Sequence, residues 1–190
     1  MRIAITGASG NGKTTLAREL ERVAGLRHIE TDALHHGPNW ESCGPEVLRE
    51  RVLAATEGDD WVVDSSYHSM IGYTAADRAD MVVWLDLPVH RVMWRLVRRT
   101  IVRARRKVEL WNGNFEPGGR DAWRHLIWPA LRSAISNRRV LPQRYADYRL
   151  VRLRSDDEVR AFVQSIQATA TTSGSSNGSE RQKTPPSVET

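Results

Sequence analysis

Apolar positions along this chain recur with two different periods. Short runs rich in Ile, Val, Trp and other strand-favouring side chains fall at residues 2–6, 61–63 and 81–85, with further ones at 28–31 and 148–153. They are bounded by turn residues and too short to fill a helix, so each predicts a strand. Between them the spacing changes to three and four residues. Leu16, Leu20 and Val23 share one face of a helix over 13–24, and Gly25 is placed to cap it. A helix over 45–56 has proline in its first turn. A long helix from Pro88 is broken by the glycine-containing stretch 112–119. A second helix passes through Trp123, Ile127, Leu131 and Ile135, and a last one covers 156–166. Trp84, Trp94, Trp123 and Trp128 sit at core-like spacing and predict packing. Residues 33–44 hold Gly, Pro, Asn and Ser and predict a loop. Strands alternating with helices imply an α/β domain with a mainly parallel sheet covered on both faces.

Composition sharpens this picture in two places. From residue 168 the chain turns to Thr, Ser, Gly, Asn and Pro. Such a stretch buries too little apolar surface to offset its chain entropy, so 1–167 is expected to be the domain and 168–190 a disordered tail. The single cysteine, Cys43, excludes an internal disulfide and a self-contained zinc site, and fits a reducing cytoplasm. No apolar run approaches the roughly 20 residues that span a bilayer. The N-terminus runs directly into the first motif, which argues against a signal peptide.

Charge is unevenly spread. Residues 1–90 carry 8 basic and 14 acidic side chains, whereas residues 91–154 carry 17 basic and 4 acidic. An excess of this size, mostly arginine, points to an anionic partner such as phosphate, although a solvated helix face accounts for part of it.

The first strand leads into Gly7-Ala8-Ser9-Gly10-Asn11-Gly12-Lys13-Thr14 and then a helix. This is the strand, loop and helix of a P-loop, G-x-x-x-x-G-K-[ST]. The glycines let backbone N–H groups curl inward around phosphate oxygens, and the helix N-terminus adds a favourable partial charge. Lys13 is expected on the β- and γ-phosphates of ATP or another nucleoside triphosphate, the Thr14 hydroxyl on Mg²⁺, and Thr15 near the α-phosphate. Three aspartates follow strands, at the edge where open α/β sheets bind ligands. Asp64 has the form of a Walker B carboxylate for Mg²⁺. Asp32 is placed to take a proton from an acceptor hydroxyl or to orient the acceptor, or else to cap a helix or turn. Asp86, before Leu87-Pro88, is expected to cap the next helix. His35, His36 and Trp40 could border an acceptor pocket. Trp111-Asn112-Gly113-Asn114 reads as a lid hinge or tip, or as an ordinary turn. Arg91, Arg95, Arg98 and Arg99 recur at helical spacing, and Arg95 and Arg98 are the leading candidates to touch transferring phosphates.

At these residues the chain resembles the P-loop kinases that phosphorylate nucleoside monophosphates and other small acceptors. Within them it is most similar to the adenylate-kinase-like proteins labelled topology modulation proteins. Beyond the P-loop, the resemblance rests on Asp32-Ala33-Leu34, on Pro38-Asn39-Trp40, on Trp61-Val62-Val63-Asp64-Ser65-Ser66-Tyr67, and on Val83-Trp84-Leu85-Asp86-Leu87-Pro88 before the arginine helix. It implies a five-stranded parallel sheet of order 2-3-1-4-5, an acceptor site over the loops after the second and third strands, and an arginine-bearing lid after the fourth. Asp64 is followed here by Ser65-Ser66-Tyr67 rather than the Gly-Phe-Pro-Arg of adenylate kinases. The implied activity is ATP- and Mg²⁺-dependent phosphoryl transfer to a small acceptor, most plausibly a nucleotide or nucleoside. The competing reading is a nucleic-acid-binding NTPase that grips a phosphate backbone with segment 91–154. It is less favoured, because no nucleic-acid-binding module is recognisable.

Overall fold

The computed structural model describes residues 1–64, 67–115 and 119–176. The tail from 177 and the Ser65-Ser66 part of the third-strand motif lie outside them. Five strands form one parallel sheet: β1 Arg2–Thr6, β2 Arg27–Glu30, β3 Trp61–Asp64, β4 Met81–Leu85 and β5 Leu150–Leu153. Their order is β2-β3-β1-β4-β5, as expected, so β1 is central and the chain reverses direction across the sheet on either side of it. β1 pairs with β3 from Arg2 opposite Trp61 to Ile5 opposite Asp64, which brings the end of β3 level with the P-loop.

Among the described residues, eight α-helices accompany the sheet: α1 Lys13–Ala24, α2 Thr31–His35, α3 Pro45–Ala55, α4 His68–Ile71, α5 Val89–Arg106, α6 Gly119–Ala122, α7 Trp128–Arg144 and α8 Asp156–Ser176. Side chains of β1 alternate between two cores. Ile3 and Ile5 pack with Leu16, Leu20 and Ile166 from α1 and α8. Ala4 faces Leu48, Val52, Trp84 and Leu141 on the opposite face. Burial of both faces is why these strands read as continuous apolar runs.

α6 and α7 are joined by a π-helical turn, Trp123–Ile127, in which the Trp128 N–H bonds to the Trp123 carbonyl. Pro129 explains it. Without an N–H, Pro129 cannot bond back to His125, and the widened turn absorbs the defect.

Four expectations are corrected here. Residues 33–35 are helical rather than loop, in a helix that begins at Thr31, where the expected strand would have ended. The last helix does not stop at 166 but continues to Ser176, so the first part of the expected tail is helical. Its threonine hydroxyls bond back one turn within it: Thr169 to Ser165 O, Thr171 to Gln167 O and Thr172 to Ala168 O. Trp84 is buried, but Trp94, Trp123 and Trp128 are 67%, 59% and 55% exposed. α5 buries the stripe Val92, Leu96 and Thr100, and Trp94 lies off it. Asp86 caps nothing. It is buried and holds Arg138 at 2.8 Å and Arg152 at 2.6 Å. Arg152 also stacks over Trp84, with Cζ 4.2 Å from the ring centre.

Candidate active site

The P-loop conformation depends on backbone that only glycine accepts easily. Gly10 has φ +88°, and a Cβ there would stand 2.9 Å from the Val92 carbonyl and 3.0 Å from the Leu96 Cβ. The loop therefore lies directly against α5, which carries the arginines. Gly7 has φ +145°, and a Cβ would meet the Leu85 carbonyl at 2.8 Å. Ala8 is buried, as is Asn11. The Asn11 amide donates to the Leu85 carbonyl at 2.8 Å, fixing the loop to the end of β4. Gly12 then opens α1 with a left-handed φ of 90°.

Lys13 is buried, and its Nζ donates to the Gly7 carbonyl at 3.1 Å and stands 3.9 Å from an Asp64 oxygen. The Thr14 hydroxyl donates to the other Asp64 oxygen. Lysine, threonine and aspartate thus meet at the end of β3. Burial pushes the Asp64 carboxyl above the usual range, while the Lys13 charge and the Thr14 hydroxyl oppose that rise. Thr31 donates to the Asp64 backbone carbonyl at 2.6 Å, tying α2 to the end of β3.

Asp32, one residue on, lines the same cavity of about 920 Å³ as Ser9, Lys13, Thr14, Thr15 and Asp64. One oxygen of Asp32 accepts the Tyr67 hydroxyl at 2.7 Å. The Tyr67 oxygen is 3.0 Å from His36 Nε2. With the Tyr67 proton on Asp32, His36 Nε2–H is the donor of that second bond, and Nδ1 is the bare nitrogen. Nδ1 is buried and has no partner in the structure. Burial lowers the His36 pKa, keeping the ring neutral. Burial together with the Asp32 charge pushes the Tyr67 hydroxyl up, so Tyr67 stays a donor. His35 is buried beneath these groups, with its ring 4.4 Å from that of Tyr67.

The arginines divide by register. Arg99 lines the cavity, and so does Arg103, one turn further on. Arg95 lines a second cavity of about 770 Å³ that shares Gly10, Gly12, Thr15 and Arg99 with the first. Both Arg91 and Arg95 reach Asp156 at the start of α8, at 3.4 and 2.9 Å. Arg98 is exposed and lines neither cavity. It lies two residues past buried Leu96, roughly 200° around the helix. The prediction for Arg98 is corrected: its neighbour Arg99 occupies the cavity.

Trp111–Gly113 is neither free nor an ordinary interhelical turn. It docks on the loop after α2. The Asn114 side chain accepts from the Trp40 N–H at 2.8 Å and donates to the Gly37 carbonyl at 2.8 Å. Asn112 donates to the His36 carbonyl, Trp111 Nε1 to Glu30 at 2.6 Å and Trp40 Nε1 to the Phe115 carbonyl at 3.1 Å. Trp40 and Trp111 both line the larger cavity. Arg103 and Glu30 were not picked out from the sequence, and Tyr67 and Asn114 stood there only as members of longer motifs with no role of their own. Only Arg103 left a local signal, as the next helical turn after Arg99.

The fit to Mg²⁺ can be judged from the donors. Among the described residues no three His, Cys, Asp or Glu side chains converge as a metal cage. One hydroxyl and one carboxylate, Thr14 and Asp64, stand together beside a lysine in a P-loop. That suits Mg²⁺, which takes few protein oxygens and completes its shell with phosphate and water.

Sheet order, P-loop and flanking helices define a P-loop kinase fold of the adenylate-kinase-like kind. No family model matches the sequence. A cytidylate kinase of Thermococcus sibiricus is 29% identical over 112 residues, 51% of this chain and 56% of that protein, so the match spans little more than half of that relative. The fold is similar to that of a shikimate kinase from Acinetobacter baumannii, solved with shikimate. There the TM-score is 0.52 at 16% identity, over 90% of this chain and 93% of the other. It is also similar to a deoxyadenosine kinase from M. mycoides with bound dCTP, with TM-score 0.52 at 12% identity, over 88% and 100% of the two chains. No helix among the described residues is long and apolar enough to cross a membrane.

Proposed function

We propose that this protein is an ATP- and Mg²⁺-dependent phosphotransferase acting on a hydroxyl of a small acceptor, a nucleotide or nucleoside. One observation carries the reading: a single cavity joins Lys13, Thr14 and Asp64 to Asp32 and Tyr67. Likeness to a cytidylate kinase over half the chain supports it. Within this reading, the chain belongs beside the adenylate-kinase-like proteins labelled topology modulation proteins.

The P-loop amides and Lys13 bind the triphosphate. Thr14 and Asp64 would hold Mg²⁺, which would supply charge neutralisation on the phosphates. Asp32 takes the acceptor hydroxyl proton, and Tyr67 holds its carboxylate in position. Arg99 and Arg103 bring positive charge to the transferring group, where fixed charge lowers the barrier. Four of the 17 basic residues of segment 91–154 pair with aspartates, Arg91 and Arg95 with Asp156 and Arg138 and Arg152 with Asp86. This weakens the case for a nucleic-acid grip.

The test is ADP formation against Mg²⁺ concentration, with Asp64→Asn as comparison. The variant should lose roughly 10²-fold or more in rate and need far more Mg²⁺. An unchanged Mg²⁺ response would confine Asp64 to a structural role.

A further inference from the structure

Three helices carry the same spacing on their exposed sides. On α5 the stripe is Trp94, Arg98, Ile101 and Arg105, and on α7 it is Trp128, Arg132, Ile135 and Arg139. The same residue types recur at the same steps of four, three and four. Such steps keep four side chains within roughly 60° of one another around a helix and spread them over roughly 16 Å of its length. Each stripe lies opposite the buried one, which is Val92, Leu96 and Thr100 on α5 and Ala130, Ala134 and Leu141 on α7. Both tryptophans and both isoleucines are exposed. The two helices are neighbours, packed through Leu96, Ile127 and Ala130. On α3 the same steps carry the opposite charge. Glu46, Glu50 and Leu53 lie opposite buried Leu48 and Val52, and Glu57 follows just past the helix. All four are exposed. None of these arginines and glutamates has an ion-pair partner among the described residues.

We propose that the exposed faces of α5 and α7 are a docking surface for a second copy of this chain, which brings the acidic stripe of its α3. Laid parallel, α3 and α5 set Glu50 against Arg98, Leu53 against Ile101 and Glu57 against Arg105, with Glu46 beside Trp94. α7 offers the same match through Arg132, Ile135 and Arg139. Tryptophan and arginine are the residues that most often anchor protein interfaces, and complementary charge fixes partner and register. Nucleic acids are gripped by cations and stacked on by aromatic rings. The isoleucine at the centre of each stripe, matched by Leu53, favours a protein. Arg49 flanks the α3 stripe, and Arg51 is turned to the Leu34 carbonyl. Because α3 and the arginine helices are different surfaces, the contact is heterologous, and a two-fold dimer makes it twice.

Sedimentation velocity on the full chain, over a range of protein and salt concentrations, tests this. Species of twice the monomer mass or more should form as protein concentration rises and dissociate as salt screens the charges. Reversing the basic stripes with Arg98→Glu, Arg105→Glu, Arg132→Glu and Arg139→Glu should weaken association by roughly tenfold or more, and so should Glu46→Arg with Glu50→Arg. Mixing the two variants should restore association between them, because one contact then stays native and the other has both charges reversed. That restoration also shows that both variants fold. A chain that stays monomeric at every concentration, or an association that neither reversal weakens, overturns the proposal. Failure of the mixed variants to associate removes α3 as the matching face and overturns it as well. A monomer that binds a single-stranded oligonucleotide or anionic lipid vesicles through these arginines would give the faces to that partner instead.

Discussion

Asn114→Ala should loosen the docking of segment 111–115 without unfolding the domain. The Asn114 side chain is buried, 3% exposed. Two of its hydrogen bonds cross to the other loop, one from the Trp40 N–H and one to the Gly37 carbonyl, both 2.8 Å. A third stays within its own turn, to the Trp111 carbonyl. At about 0.5–1.5 kcal/mol net for each crossing bond, the docked arrangement loses about 1–3 kcal/mol. That is roughly a 5- to 150-fold shift toward the undocked state. The contacts of Asn112, Trp111 and Trp40 remain, so docking weakens rather than disappears. Water can satisfy the freed Trp40 and Gly37 groups once the loops part, which keeps the loss local. Amide hydrogen exchange is the assay. Exchange at Trp40 should speed up by the factor above, while amides of β1 and β3 stay unchanged. Unchanged exchange at Trp40, or equal acceleration throughout the sheet, would refute the reasoning.

Arg99→Ala and Arg103→Ala should each lower kcat by roughly 10²-fold, while Arg98→Ala leaves it within about twofold of wild type; steady-state kinetics on the three variants decides this, and equal losses would contradict the helix register. Acidification should destabilise the protein through His36. Its folded pKa lies below the unfolded value because of burial, so its contribution is complete above about pH 6.5 and is lost as pH falls through the depressed folded value. Thermal melts from pH 7.5 to 5 should therefore slope downward, and His36→Gln should flatten the slope in part; an unchanged slope would remove His36 as the cause.

How much of this was legible in the sequence depends on how local each feature is. The P-loop occupies eight consecutive residues, and the strand before it and helix after it are equally local. Asp64 was readable because it ends an apolar strand, and parallel pairing with β1 brings that end to the loop. The Tyr67–Asp32 bond joins residues 35 apart, and the Asn114–Trp40 bond joins residues 74 apart. Neither leaves any periodicity to detect. Arg98 and Arg99 could not be separated by spacing alone, because the choice needs the buried stripe of α5. The same ambiguity misled the reading of Trp94, Trp123 and Trp128. An arginine-rich helix with apolar residues on more than one face does not declare which face packs. Asp86 has the sequence context of a cap, and only the fold brings Arg138 and Arg152 to it.

The most direct test of the central claim is ATP turnover by Lys13→Ala, with the thermal shift from ATP and Mg²⁺ recorded on the same samples. Wild type at roughly 100 times the dissociation constant should gain about 2.7 kcal/mol of stability and release ADP when a suitable acceptor is present. The variant should keep the wild-type fold by circular dichroism, lose most of the ATP-induced shift, and show no turnover above background. A folded Lys13→Ala protein that turns over ATP at the wild-type rate would contradict the account.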